Sequence, residues 1–170
     1  MVFGQTGIFA LGDAAHGFFE FSLRDGAAGV DLIRTIANLR VPRTTVGGAN
    51  SVVGFRPELW RACAPIPADV HGFDKALSGN DGYRMPATQA DAFVWFASAS
   101  YDLIFDLGVD TLKALAPLAT LVRENSGWSY RHSRDLTGFE DGTKNPSLYD
   151  APAVALIESG LPGEGGSVLL

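Results

Sequence analysis

An α+β fold, with one antiparallel sheet and helices on one of its faces, is what the order of apolar patterns along the 170 residues predicts. Four short runs of extended character are separated by two longer stretches whose apolar residues recur at helical spacing. In order these read strand, helix, strand, strand, helix, strand. That is the split βαβ, or ferredoxin-like, arrangement. No internal repeat or low-complexity segment interrupts it.

The first strand is predicted over Phe18 to Leu23, where Phe19, Phe21 and Leu23 alternate with Glu20 and Ser22, giving one buried face. Asp25-Gly26 turns the chain. A helix follows from about Val30 to Leu39, with Leu32, Ile33, Ile36 and Ala37 forming one apolar stripe and Pro42 marking its end. Ser51 to Phe55, β-branched at Val52 and Val53, is the second strand, and the chain from Phe55 to Trp60 leads into a proline-containing loop. From Ala64 to Ala90 the density of Pro and Gly excludes a long regular element, so this is a long connection carrying short turns.

Ala92 to Ala99 is the third strand, apolar on both faces at Phe93, Val94, Trp95 and Phe96 and therefore central in the sheet. Tyr101 to Leu115 places Tyr101, Ile104, Phe105, Gly108, Leu112 and Leu115 at helical spacing before Pro117 stops it. Thr120 to Tyr130 is the fourth strand, with a kink expected at Asn125-Ser126-Gly127.

Composition narrows the function. With 46% hydrophobic and 19% charged residues the chain is an ordinary folded domain, and a net charge of -6 without a Lys/Arg cluster argues against a nucleic-acid partner. Met1 to Leu11 has neither the basic start nor the apolar run of a signal or membrane segment, so no membrane partner and a cytoplasmic location are expected. The one cysteine, Cys63, has no partner for an internal disulfide and is expected as a small core residue.

The chemistry concentrates in Gly138-Phe139-Glu140-Asp141-Gly142-Thr143-Lys144-Asn145-Pro146. Gly138 and Gly142 can bracket a tight bend from which Asp141 projects. Asp-Gly and Asn-Pro are also ordinary turn dipeptides, so a surface loop is the competing explanation of this stretch alone. Glu140 is read as solvent-facing.

This stretch resembles the Gly-x-x-Asp-Gly motif of the dye-decolorising peroxidases, in its extended form Gly-Phe-x-Asp-Gly-Thr-x-Asn-Pro. Gln5-x-Gly7-Ile8, Val52-Val53-Gly54-Phe55 with Trp60-Arg61, and Arg134-Asp135-Leu136-Thr137 resemble the bacterial group of that family whose members lack a secretion signal. The resemblance implies a haem b cofactor, with hydrogen peroxide and an organic reductant (dyes or phenols) as reaction partners; a homo-oligomer is expected because ferredoxin-like domains pair through sheets or helices and a half-chain exposes apolar surface. It implies Asp141 as the distal catalytic acid-base residue. Gly142, Thr143 and Lys144 would lie with Asp141 along the cofactor, with Lys144 able to meet a propionate. Trp128 and Tyr130 are candidates for passing electrons from large substrates, with core packing the simpler role for both.

The family's proximal histidine and distal arginine lie downstream of the motif. Residues 1–135 are therefore expected as one ferredoxin-like domain and 136–170 as the motif loop plus the start of a second such domain, broken off before completion, with Gly165 to Leu170 entering a strand. None of His16, His71 and His132 occupies the family's proximal position, so no metal ligand is assigned in this chain. Two alternatives stay open: an inactive ferredoxin-like assembly or binding module, and another ferredoxin-like haem protein such as a relative of chlorite dismutase.

Overall fold

A computed structural model describes residues 3–11, 13–41, 48–140 and 142–166. Its main sheet has four antiparallel strands, β1 (Ala15–Leu23), β2 (Ala49–Phe55), β5 (Ala92–Ser98) and β6 (Ala119–Trp128), in the order β2-β5-β1-β6. Helices α1 (Gly29–Ala37) and α3 (Tyr101–Leu115) connect them. This is the ferredoxin-like topology, with β1 and β5 in the middle as the two-sided apolar pattern of Phe93 to Phe96 requires.

The alternation in β1 decides which face is covered. Phe19 and Phe21 point into a layer shared with Val94 and Phe96 of β5, and Leu32 and Ile36 of α1 with Ile104, Leu107 and Leu115 of α3 close it from above. These helical residues fall three, four or eight apart, on one stripe each. Two glycines let α3 descend onto β1. A Cβ on Gly17 would stand 2.6 Å from Cγ2 of Ile104, and one on Gly108 would stand 2.7 Å from Cζ of Phe19.

The opposite face of the sheet carries a row of rings. Phe18 stacks on Trp95 and on Phe93 with centroids 5.6 and 6.2 Å apart, and His16 lies beside Phe18 and Trp95. Edge strand β2 is closed by a side chain: the Gln5 amide donates to the Val53 carbonyl at 2.7 Å and accepts the Val53 N–H at 2.8 Å. A primary amide thus replaces a neighbouring strand and blunts the edge.

The connection after β2 opens with the short helix α2 (Pro57–Trp60) and includes a small hairpin of β3 (Leu77–Ser78) and β4 (Arg84–Met85). It is tied back by side chains: Glu58 accepts the Gly72 N–H at 2.9 Å, and Gln89 accepts the Phe73 N–H at 2.6 Å. After β6, the described chain reaches α4 (Ala151–Ala155) and returns to the N-terminal segment. Leu156 is buried there, its Cδ2 only 2.8 Å from where a Gly4 Cβ would be.

Several expectations need correction. Helix α1 ends at Ala37, two residues early, because Asn38 terminates it by donating its side-chain amide to the Arg34 carbonyl at 2.7 Å. Pro42, expected to mark that end, lies outside the described residues. Asn125, Ser126 and Gly127 carry no kink; they pair in register with Phe18, Gly17 and His16. The irregularity falls instead opposite the Glu20/Phe21 step, where Val122 is the extra residue between Arg123 and Leu121. Cys63 is exposed rather than in the core, because it follows α2 in an exposed turn of the connection. Trp128 is 66% exposed, so it does not pack in the core: it ends an edge strand beyond the reach of α3.

Candidate functional site

The segment from Tyr130 to Pro146 is built in three steps. First, Arg131, His132 and Ser133 take φ values of 38°, 59° and 65°, a left-handed turn of three non-glycine residues. Each such residue costs roughly 1–2 kcal/mol. The turn is closed by the Arg134 N–H on the Tyr130 carbonyl at 2.9 Å, with the Arg131 guanidinium 5.2 Å above the Tyr130 ring.

Second, the chain doubles back on itself. Arg134 pairs with Glu140 in an antiparallel bridge, and the Asp135 N–H donates to the Phe139 carbonyl at 2.9 Å. Gly138 sits at the tip with φ 97°, a conformation that a side chain would strain. Its N–H donates to the Asp135 carbonyl at 3.1 Å, and its own carbonyl accepts from Arg134 Nη1 at 3.0 Å.

Inside this arm one carboxylate oxygen collects three donors. Oδ1 of Asp135 accepts the Thr137 hydroxyl at 2.6 Å, the Thr137 N–H at 2.8 Å and the Phe139 N–H at 3.0 Å. The Thr137 hydroxyl above all, together with the amides of Phe139, Thr137 and Gly138, holds this carboxyl below the usual aspartate range against the opposing effect of burial. Third, the chain turns again past the arm: Gly142 has φ 76° and its carbonyl accepts the Asn145 N–H at 3.0 Å.

Asp141, the expected acid-base residue, lies outside the described residues. Gly142, Thr143 and Lys144 are brought together in one exposed turn. Glu140 is solvent-facing as expected, its carboxylate 3.9 Å from Arg134 Nη2 and 58% exposed. Of the histidines, His16 accepts a hydrogen bond from Trp95 within the aromatic row, while His71 and His132 are exposed. Among the described residues no group of three or more His, Cys, Asp or Glu could hold a metal ion. Asp135 was not singled out by function from the sequence, although Asp-x-Thr is a signal for a side chain that bonds the backbone two residues on.

The fold and a self-bonded, glycine-bracketed arm define an α+β domain of ferredoxin-like topology with its polar loop beyond the last strand. Comparison with known proteins identifies it further. The sequence is 31% identical over 150 residues to a dye-decolorizing peroxidase of Rhodococcus erythropolis, covering 87% of this chain and 42% of the relative. The fold superposes with a TM-score of 0.77 and 30% identity on a single-site variant of Rhodococcus jostii RHA1 DypB in complex with heme, covering 94% of this chain and 54% of that one. It matches the encapsulated DyP-type peroxidase of Mycobacterium smegmatis with a TM-score of 0.65 and 26% identity, covering 86% of this chain and 48% of that one. No protein-family model matches. The chain belongs to the dye-decolorising peroxidase family, and it spans about half the length of the relatives it matches.

Among the described residues, the motif turn does not enclose a haem. Every residue from Gly142 to Asp150 is exposed, so the motif turn offers one wall and no enclosure. Two cavities among the described residues lie elsewhere: one of about 440 Å³ between α1 and α3, and one of about 760 Å³ between the N-terminal segment, α1 and β2. Neither is lined by a residue of the arm.

Proposed function

We propose that this chain is the Asp141-bearing part of a haem-dependent peroxidase of the dye-decolorising type, which reduces hydrogen peroxide and oxidises dyes or phenolic reductants. Bound haem would supply the redox-active iron. The chain's own part is proton traffic. Asp141, ionised, takes a proton from hydrogen peroxide and returns it to the departing oxygen, a general acid-base role. Gly142, Thr143 and Lys144 would line the bound haem, with Lys144 supplying a positive charge for a propionate.

The observation that supports this reading most is the arm itself. The segment carrying the family's motif is closed by its own hydrogen bonds and flanked by Gly138 and Gly142 in left-handed conformations on either side of position 141. A plain surface loop has no need of that construction. Residues 1–135 form the ferredoxin-like domain, 136–170 carry the motif into a second unit, and the proximal histidine and distal arginine are supplied outside these 170 residues. We place the protein in the cytoplasm as a homo-oligomer; among the described residues no helix is long and apolar enough to cross a membrane, and edge strand β6 exposes Val122 and Trp128.

Haem reconstitution tests the division of labour. The 170-residue chain mixed with ferric haem is expected to give no histidine-ligated absorption spectrum. A histidine-ligated spectrum that disappears on replacing His16, His71 or His132 would contradict the assignment of the axial ligand elsewhere.

A further inference from the structure

The arm from Arg134 to Glu140 has two side chains that could hold its shape, and they are unequal. Arg134 reaches the Gly138 carbonyl at 3.0 Å and Glu140 at 3.9 Å, but the ion pair is 46% and 58% exposed on its two sides. Exposed pairs of this kind contribute little. Asp135 instead gathers the Thr137 hydroxyl, the Thr137 N–H and the Phe139 N–H onto a single oxygen, at 2.6, 2.8 and 3.0 Å. Three donors converge on one oxygen, and the charge of a carboxylate strengthens each of these bonds.

The place of this cluster in the chain gives it a consequence. It fixes residues 135 to 139, whose backbone then pairs with itself through Arg134 and Glu140, and the next peptide carries Asp141. Removing Oδ1 leaves the Thr137 and Phe139 amides without their acceptor and frees the turn between them. A displacement of about 1 Å at a reacting group costs on the order of 10²-fold in rate.

We infer that Asp135 is the positioning residue of the motif arm, holding residues 135 to 140 through the hydrogen bonds on its Oδ1 in the form that the peroxide reaction needs. The functional half of this inference rests on the peroxidase reading above; the structural half does not.

The test uses Asp135→Ala, Asp135→Asn and Thr137→Val with two readouts. Amide hydrogen exchange is followed at Thr137 and Phe139 in the chain. Protection at Phe139 should fall in Asp135→Ala and largely persist in Asp135→Asn, which retains an Oδ1 acceptor. In the native haem-loaded protein, Asp135→Ala should lower kcat with hydrogen peroxide by about tenfold to a hundredfold, leave the KM for the dye unchanged, and be partly rescued in Asp135→Asn. Undiminished protection and undiminished kcat in Asp135→Ala would overturn the inference, as would a kcat loss matched by an equal rise in dye KM. Should Asp135→Ala fail to fold, Thr137→Val, which deletes only the hydroxyl, is expected to show the same effects in smaller measure, and its equivalence to the unmodified protein would overturn the inference. If the unmodified native protein shows no peroxide-dependent turnover, the peroxidase reading falls, and the exchange readout alone decides Asp135.

Discussion

The indole Nε1 of Trp95 donates a hydrogen bond to Nδ1 of His16 at 3.2 Å, between the two central strands and on the face of the sheet away from the helices. The bond makes Nδ1 an acceptor, so the proton of the neutral imidazole is on Nε2. One of the three histidines in the chain is thereby committed to the sheet. The two rings are 5.8 Å apart and share the row with Phe18 and Phe93.

Replacing Trp95 by Phe keeps the ring in this row and deletes the donor. The expected loss is about 1 kcal/mol of stability, the typical net value of one such bond. A urea titration measures it. No change in the midpoint would show that the bond contributes nothing in water.

The long connection is pinned in a pH-dependent way. The Gly72 amide chiefly, with Arg56 and Arg61 adding to it and burial opposing, holds the Glu58 carboxyl below its ordinary value of 4.5. A folded-state value below the unfolded one stabilises above the unfolded value, and the stabilisation is lost as pH falls through the folded one. The connection should therefore stay closed at neutral pH and loosen on acidification below the ordinary glutamate range. Limited proteolysis between Ala64 and Lys75 as a function of pH checks this. Glu58→Gln should raise cleavage at neutral pH and remove the acid dependence assigned to this carboxyl; unchanged acid dependence would show that another group controls the loop.

Gly108 is one of two glycines at which α3 comes down onto β1, and it leaves no space for a Cβ against Phe19. Gly108→Ala should destabilise the domain by about 1–3 kcal/mol through overpacking, despite the better helix propensity of alanine. Thermal unfolding reads the sign directly. A stabilised variant would mean that Phe19 moves aside at no cost.

The legible parts of the fold were those decided by local pattern. Phe19 and Phe21 alternate with polar neighbours and are buried, and Ile104 and Leu115 repeat at helical spacing and face the sheet. What could not be read depends on partners distant in sequence. The bulge at Val122 is a property of how β6 registers against β1, and nothing within Thr120 to Tyr130 announces it. Trp128 looks like a core residue by type, yet its place on an edge strand leaves it exposed. Cys63 was misplaced for a similar reason, since its exposure depends on where the connection folds back.

The candidate site was legible as a motif and not as a construction. Gly138 and Gly142 were expected to bracket a bend, and both have positive φ. The role of Asp135 was hidden because its three donors come from Thr137 and Phe139, which read as ordinary loop residues until their hydrogen bonds are seen.

The proposed role of Asp141 as the proton carrier of a haem peroxidase is tested by the rate of hydrogen peroxide reduction by the native haem-loaded protein with and without Asp141→Asn. Loss of a positioned general acid-base group costs about 10²–10⁴-fold. A fall of that size, with haem retained, is expected; a rate unchanged by Asp141→Asn would show that another group carries the proton.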